Sequence, residues 1–132
     1  MDQQLLMEAS QLEKYTSELE QHEEYIAQQI TELTQFAEQL HEISKSSEKK
    51  LLSSIGKRVY LQTEVTDKKL FVEVGAGVIV RKTPEELHEV IVEQLAQLRE
   101  SQKKITTQRS FYTQKLHELM HMLEQQHASM TA

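Results

Sequence analysis

Leu5, Leu12, Leu19, Ile26, Leu33 and Leu40 recur every seven residues. A heptad repeat of large aliphatics sustained over that distance is a coiled-coil rail, and it dictates a long helix that buries one stripe against another helix. Tyr15, Phe36 and Ile43, three positions after members of the series, predict the second rail. The C-terminal part supplies a matching stripe, with Ile91, Leu98, Ile105, Tyr112 and Leu119 on one rail and Leu95, Leu116 and Leu123 on the other. Neither flank contains glycine, and the single proline, Pro84, stands at the head of the second, so nothing breaks either helix.

If the chain folds back on itself, the two stripes face each other antiparallel. The expected pairs are Leu12 with Leu119, Tyr15 with Leu116, Leu19 with Tyr112, Ile26 with Ile105, Leu33 with Leu98, Phe36 with Leu95 and Leu40 with Ile91. Two polar layers also meet, His22 with Arg109 and Gln29 with Gln102. Polar residues in a seam penalise every alignment that would set them against leucine, so these four are expected to fix the coil register.

All three glycines fall between residues 56 and 77, where the periodicity changes from helical to alternating. "KRVYLQTEV" places Val59, Leu61 and Val65 on one strand face, and "KLFVEVGAGVIV" does the same for Leu70, Val72, Val74, Val78 and Val80. "TDKK", residues 66–69, is a turn between them. "SSIGKRVYL" aligns with "VEVGAGVIV", matching Gly56 to Gly75 and Val59 to Val78, which predicts two successive hairpins with Leu51 to Ile55 as the first strand. Gly75 and Gly77 suit a tight turn because they adopt positive φ at little steric cost. The second helix opens at "TPEE", with Thr83 as its cap, Pro84 in the first turn and Glu86 completing a capping box.

The fold class is therefore α+β: an antiparallel two-helix coiled coil joined by two β-hairpins. One unit, residues 1–132, divides into an N-terminal arm (1–50), the double hairpin (51–82) and a C-terminal arm (83–132). Four short strands leave open edges and an uncovered valine face. A partner is expected to cover the hairpins, most simply other subunits that pool theirs into a shared β-barrel platform.

The absence of cysteine excludes a disulfide framework and thiolate metal sites, and fits a reducing compartment. The first residues lack a basic stretch followed by an apolar one, and no apolar run approaches the roughly 20 residues that span a bilayer. Neither secretion nor membrane insertion is expected. The net charge of −6 falls mainly on the arms while the middle is basic, which disfavours a nucleic-acid binder. "HELMH", residues 117–121, has zincin spacing, but Leu116, Leu119 and Leu123 occupy the seam and turn His117 and His121 outward, with no third ligand or cleft. "GAG" is too short to cradle a phosphate. No metal, no cofactor and no catalytic residue is expected.

Met1, Met7, Met120, Met122 and Met130 all lie near the chain ends, which an antiparallel hairpin brings together at the arm tip. With Leu5, Leu6 and Leu123 they form an apolar, adaptable set. Such residues either fill a fraying helix end or offer a surface that repacks against many sequences.

Heptad arms around a double hairpin, with "VEVGAGVIVRKTPEEL" leading from the last hairpin into the second helix, resemble the alpha class of prefoldin over nearly the whole chain. The first turn departs from that pattern, having Gly56-Lys57-Arg58 in place of a second Gly-x-Gly. The resemblance implies a cytoplasmic hexamer of two alpha-class and four beta-class subunits. That assembly would hold non-native client proteins without ATP and deliver them to a group II chaperonin. It implies client binding at the arm tips by Met1, Leu5, Leu6, Met7, Met120, Met122, Leu123 and Met130, and assembly through the hairpins, including Gly75 and Gly77. The competing expectation is a coiled-coil scaffold of the same architecture that serves one dedicated partner.

Overall fold

The computed structural model describes the backbone of residues 3–131 and the side chains of residues 3–129. Helix α1 spans Gln3–Lys45 and α2 spans Pro84–Thr131; between them lie β1 (Lys50–Gly56), β2 (Val59–Glu64), β3 (Leu70–Gly75) and β4 (Val78–Lys82). Two long packed helices joined by two antiparallel hairpins is the architecture that the periodicity predicts.

The element boundaries follow from local chemistry. At the head of α2 the Thr83 hydroxyl accepts a hydrogen bond from the Glu86 amide at 3.2 Å, and the Thr83 carbonyl accepts from Leu87 at 3.1 Å. Glu85 and Glu86 complement the helix dipole there, and Pro84 is fully buried. At the other junction, the Lys68 ammonium donates to the carbonyls of Ser44 (3.0 Å) and Ser46 (2.6 Å). A cation from the loop between the hairpins thus satisfies carbonyls at the end of α1 that have no partner within the helix.

The chain divides into two compact units, residues 32–95 and the flanking stretches outside them. In the flanking unit the helices pack antiparallel, with the Tyr15 and Tyr112 rings 6.1 Å apart and Glu23 bonded to Thr106 and Arg109. Its core is Ala9, Leu12, Ile26, Ile105 and Leu119. In the central unit the buried residues are Ala37, Leu40, Leu87, Ile91 and Leu95.

On α2 the buried and half-buried positions follow the two expected rails. On α1 the leucine rail is as expected, but the second rail stands four residues after its members rather than three: Ala9, Thr16, Glu23, Ile30, Ala37 and Ser44 are buried or half-buried. Tyr15 and Phe36 are 42% and 40% exposed. The physical reason is size complementarity. The α2 rails carry mostly large side chains, and small residues on α1 let the helices approach over them.

With this choice the Tyr15 ring lies beside that of Tyr112, a residue the expected alignment set opposite Leu19. The same choice corrects the expected polar layer. His22 is exposed, and Arg109 donates instead to the Glu23 carboxylate at 2.5 Å, with Thr106 donating to the same carboxylate at 2.9 Å. These hydrogen bonds, Arg109 first and Thr106 second, hold the Glu23 carboxyl below the ordinary glutamate range against the opposing effect of burial. Gln29 and Gln102 are each half-buried, Gln102 on its rail and Gln29 beside one.

The two hairpins turn alike. In the first, Ser54 pairs with Tyr60 and Gly56 with Val59 across a bulge; in the second, Glu73 pairs with Ile79 and Gly75 with Val78 across another. Gly56, Lys57 and Arg58 have φ of 113°, 49° and 64°, and Gly75, Ala76 and Gly77 have 128°, 50° and 76°. The internal sequence repeat is therefore a repeat of geometry, and the Gly56-Lys57-Arg58 turn is regular despite having one glycine fewer. Both residues of each two-residue loop are left-handed, as hairpin twist requires. Arg58 carries there the steric cost that Gly77 avoids, about 1 kcal/mol, partly offset by the greater unfolded-state freedom of glycine. Arg58→Gly is expected to stabilise the chain by about 0.5 kcal/mol, read as a higher urea midpoint; a lower midpoint would contradict this account of the turn.

Candidate functional site

Among the described residues, incompletely covered apolar surface is concentrated at the ends of the helices and on the hairpins. At the ends, the first turns of α1 and the last turns of α2 enclose an open groove of about 1020 Å³. Leu6, Ala9, Met120 and Leu123 form its apolar lining, with Ser10, Glu13, Glu124, Gln126, His127 and Ala128 completing it.

The groove follows from the seam described above. Ala9 occupies the rail position where a large side chain would fill the space between the helices, and it is nearly fully buried, so the volume beyond it stays open. Leu6 and Met120 stand partly exposed at its edge, and Leu123 is half-buried.

Among the other residues expected at the tip, Leu5 is half-buried in the seam. Met7 is 72% exposed and borders a separate, shallow groove with Gln4, Glu8, Ser10, Gln11 and Lys14. Met122 is exposed and lines neither groove. Met1 and the side chain of Met130 lie outside the described residues. Reasoning from the sequence missed Ala9, Ser10 and Glu13. The signal that would have found them is the four-residue spacing of the second rail, which sets Ala9 in the seam with its neighbours around the opening.

The hairpins form two separate two-stranded sheets, β1 with β2 and β3 with β4. Ten of the twenty large apolar side chains that are exposed among the described residues belong to them. In the second hairpin Leu70, Val72 and Val80 are half-buried. Leu70, Val72 and Val74 border a groove of about 720 Å³ that is also lined by Phe36, Leu40, Leu87 and Ile91. The opposite face presents Phe71 and Ile79, 73% and 61% exposed.

In the first hairpin Val59 and Leu61 are exposed on one face with Leu51 and Ile55, while Leu52 and Tyr60 are exposed on the other; Val65, beyond β2, is half-buried. Gly75, Gly77 and Val78 lie at the second turn, with Val78 exposed. The sequence reading named one apolar face per hairpin and overlooked Leu52, Tyr60, Phe71 and Ile79.

The loop between the hairpins is latched. One Asp67 carboxylate oxygen accepts from the Lys69 amide at 2.9 Å and from Arg81 at 2.8 Å, and the Lys69 amide, ahead of Arg81, holds this carboxyl below the ordinary aspartate range. Arg81 also donates to the Lys69 carbonyl and lies 4.2 Å over the Phe71 ring. Phe71 is thereby kept presented while its ring stays largely uncovered.

The zincin-like spacing acquires no further ligand. His117 and His121 are exposed, His121 lies 3.2 Å from the Gln125 side chain, and among the described residues no group of three or more His, Cys, Asp or Glu is placed to hold a metal ion.

A family model for the prefoldin subunit matches residues 11–128. The alpha subunit of prefoldin from Nitrosopumilus maritimus (strain SCM1) is 33% identical over 81 residues, 61% of this chain, and the matched stretch spans little more than half, 56%, of that relative's length. A chain of filamentous PFD from Methanocaldococcus jannaschii, solved by cryo-electron microscopy, superposes with a TM-score of 0.59. The superposition covers 93% of this chain and 98% of that one at 21% identity, a likeness of fold.

Proposed function

The chain belongs to the prefoldin family of non-catalytic chaperone subunits, and from that premise we propose that it is an alpha-class subunit of an ATP-independent holdase. It works in the cytoplasm, binds non-native proteins at the ends of its helices, and passes them to a group II chaperonin. The observation that carries the client-binding part is the apolar groove floored by Ala9 and flanked by Leu6, Met120 and Leu123. A methionine and leucines with free volume between them can repack against unrelated apolar segments, which suits a binder of many clients.

The second part of the proposal is assembly. Two hairpins, each open at both edges and each carrying exposed apolar residues, favour a subunit that pools its strands with others. A relative 33% identical over the matched stretch is an alpha subunit, and two hairpins fit that class. The partners are then beta-class subunits and a second alpha-class copy in a hexamer.

The test is aggregation of a chemically unfolded protein, followed by light scattering without ATP, in the presence of the chain purified with a small beta-type partner. A version lacking residues 1–9 and 121–132 runs beside it. The full-length assembly is expected to suppress scattering, and the trimmed assembly, intact by size, to lose most of that suppression. No suppression by the full-length assembly would leave a scaffold with a dedicated partner in place of a general holdase.

A further inference from the structure

We infer that the tip groove selects non-native segments in which a short apolar stretch is flanked by lysine or arginine. The inference rests on the holdase reading and adds a charge preference to it.

The groove's lining sets both its capacity and its charge. Leu6 to Glu13 on α1 and Met120 to Ala128 on α2 each cover about two helical turns, roughly 10 to 12 Å of axis. That length accommodates about three or four residues of extended chain at roughly 3.3 Å each. A client segment therefore buries only a few apolar side chains, and the residues on either side of them lie over the rim. Among the described residues the carboxylates of the lining are Glu13 and Glu124, one on each helix, and no Lys or Arg joins them.

Neither Lys14 nor Lys115 lines the groove. Lys14 borders the separate groove beside Met7 and Glu8, and Lys115 reaches toward the Phe111 ring at 6.0 Å. A segment with cations beside its apolar core meets complementary charge on both helices. A segment with carboxylates there meets repulsion on both.

An exposed ion pair changes affinity only a few-fold, and much of that change appears in the association rate. Two favourable pairs against two repulsive ones make the difference about tenfold. Salt screens such pairs over a Debye length of about 8 Å at physiological ionic strength. The preference is therefore largest at low salt.

Three fluorescent peptides sharing one Leu/Phe core, flanked on both sides by Lys, Ser or Glu, would be titrated against the full-length assembly and followed by anisotropy. The expected order is Lys, then Ser, then Glu, with about tenfold between the extremes in 20 mM salt and less than about twofold in 0.5 M salt. In E13Q/E124Q the low-salt gap between the Lys- and Glu-flanked peptides is expected to close to within about twofold. Equal affinity for all three peptides in the unmodified assembly, or a preference that survives E13Q/E124Q, overturns the inference.

A second variant, Leu6→Ser with Met120→Ser, separates the two levels of argument, because both residues are partly exposed and their loss leaves the seam in place. If it weakens all three peptides together, the groove is the binding site whether or not a charge preference exists. If it weakens none of them, the groove is not the site and the reading beneath the inference fails with it.

Discussion

Leu40→Ala is expected to lower the unfolding free energy by about 3 kcal/mol, whereas Phe36→Ala, one turn away on the same helix, costs about 1 kcal/mol. The contrast follows from burial. Leu40 is 1% exposed, among the most enclosed side chains of the protein, and Phe36 is 40% exposed. Truncating Leu40 removes its contacts and leaves a void that two regular helices cannot close. Part of the loss is softened because Leu40 and Phe36 both border the open groove beside the second hairpin, which holds the value near the lower part of the range for buried leucines.

Urea unfolding of each variant, followed by helical circular dichroism at one fixed protein concentration, measures the difference. If Phe36→Ala proved as damaging as Leu40→Ala, the seam would run through the positions three residues after the leucines rather than four.

That experiment bears on what could be read from the residues and what could not. The leucine rail of α1, both rails of α2, the four strands and the Thr83 cap were legible because each is carried by residues whose chemistry admits one placement. Large aliphatics at a strict heptad must be buried, alternating valines flanked by glycines must extend, and Thr-Pro-Glu-Glu begins a helix.

The second rail of α1 was not legible, because its members are Ala9, Thr16, Glu23, Ala37 and Ser44 as well as Ile30, residues that do not announce burial. Tyr15 and Phe36 advertised the wrong spacing. Only the partner helix decides between three and four, since its large side chains need small ones opposite. Thr16 illustrates the compromise: its hydroxyl is buried with no hydrogen-bond partner among the described residues, a cost that close approach of the helices outweighs.

The same hidden choice governs the candidate client-binding surface. The methionines and leucines near the chain ends indicated an apolar tip, but a groove there requires a missing volume, and missing volume is a property of Ala9 that no apolar pattern displays. Glu13 and Glu124 likewise border that volume only through the register, which no charge pattern displays. In the hairpins, alternation identified one face of each and hid the other. Phe71 and Ile79 fall on the side that a half-buried strand would give to solvent, and they acquire meaning only if that side is also covered.

Leu61→Lys combined with Val78→Lys is expected to abolish assembly while leaving the chain folded. Both side chains are more than half exposed, so little packing within the chain is lost, and the helical signal and its urea midpoint should change by no more than about 0.5 kcal/mol. The effect on association is much larger. Ten exposed apolar side chains on the hairpins amount to roughly 1,000 Å² of coverable surface, comparable to the roughly 800 Å² that each partner contributes to a standard interface.

Two unpaired ammonium groups in such a contact cost several kcal/mol each, so association should weaken by about three orders of magnitude or more. Sedimentation of the chain mixed with a small beta-type prefoldin subunit reads this as a shift from the assembled species to separate subunits. An unchanged sedimentation profile would place the assembly surface elsewhere.

The functional consequence separates the two surfaces. A single groove that holds three or four residues binds weakly, and a useful holdase needs several grooves engaging one client at once, where linkage raises the effective concentration of each. The dissociated variant should therefore bind short peptides as the unmodified chain does, yet fail to suppress aggregation. Retention of both activities would mean that one pair of helices is sufficient, and that pooling of the hairpins serves something other than client capture.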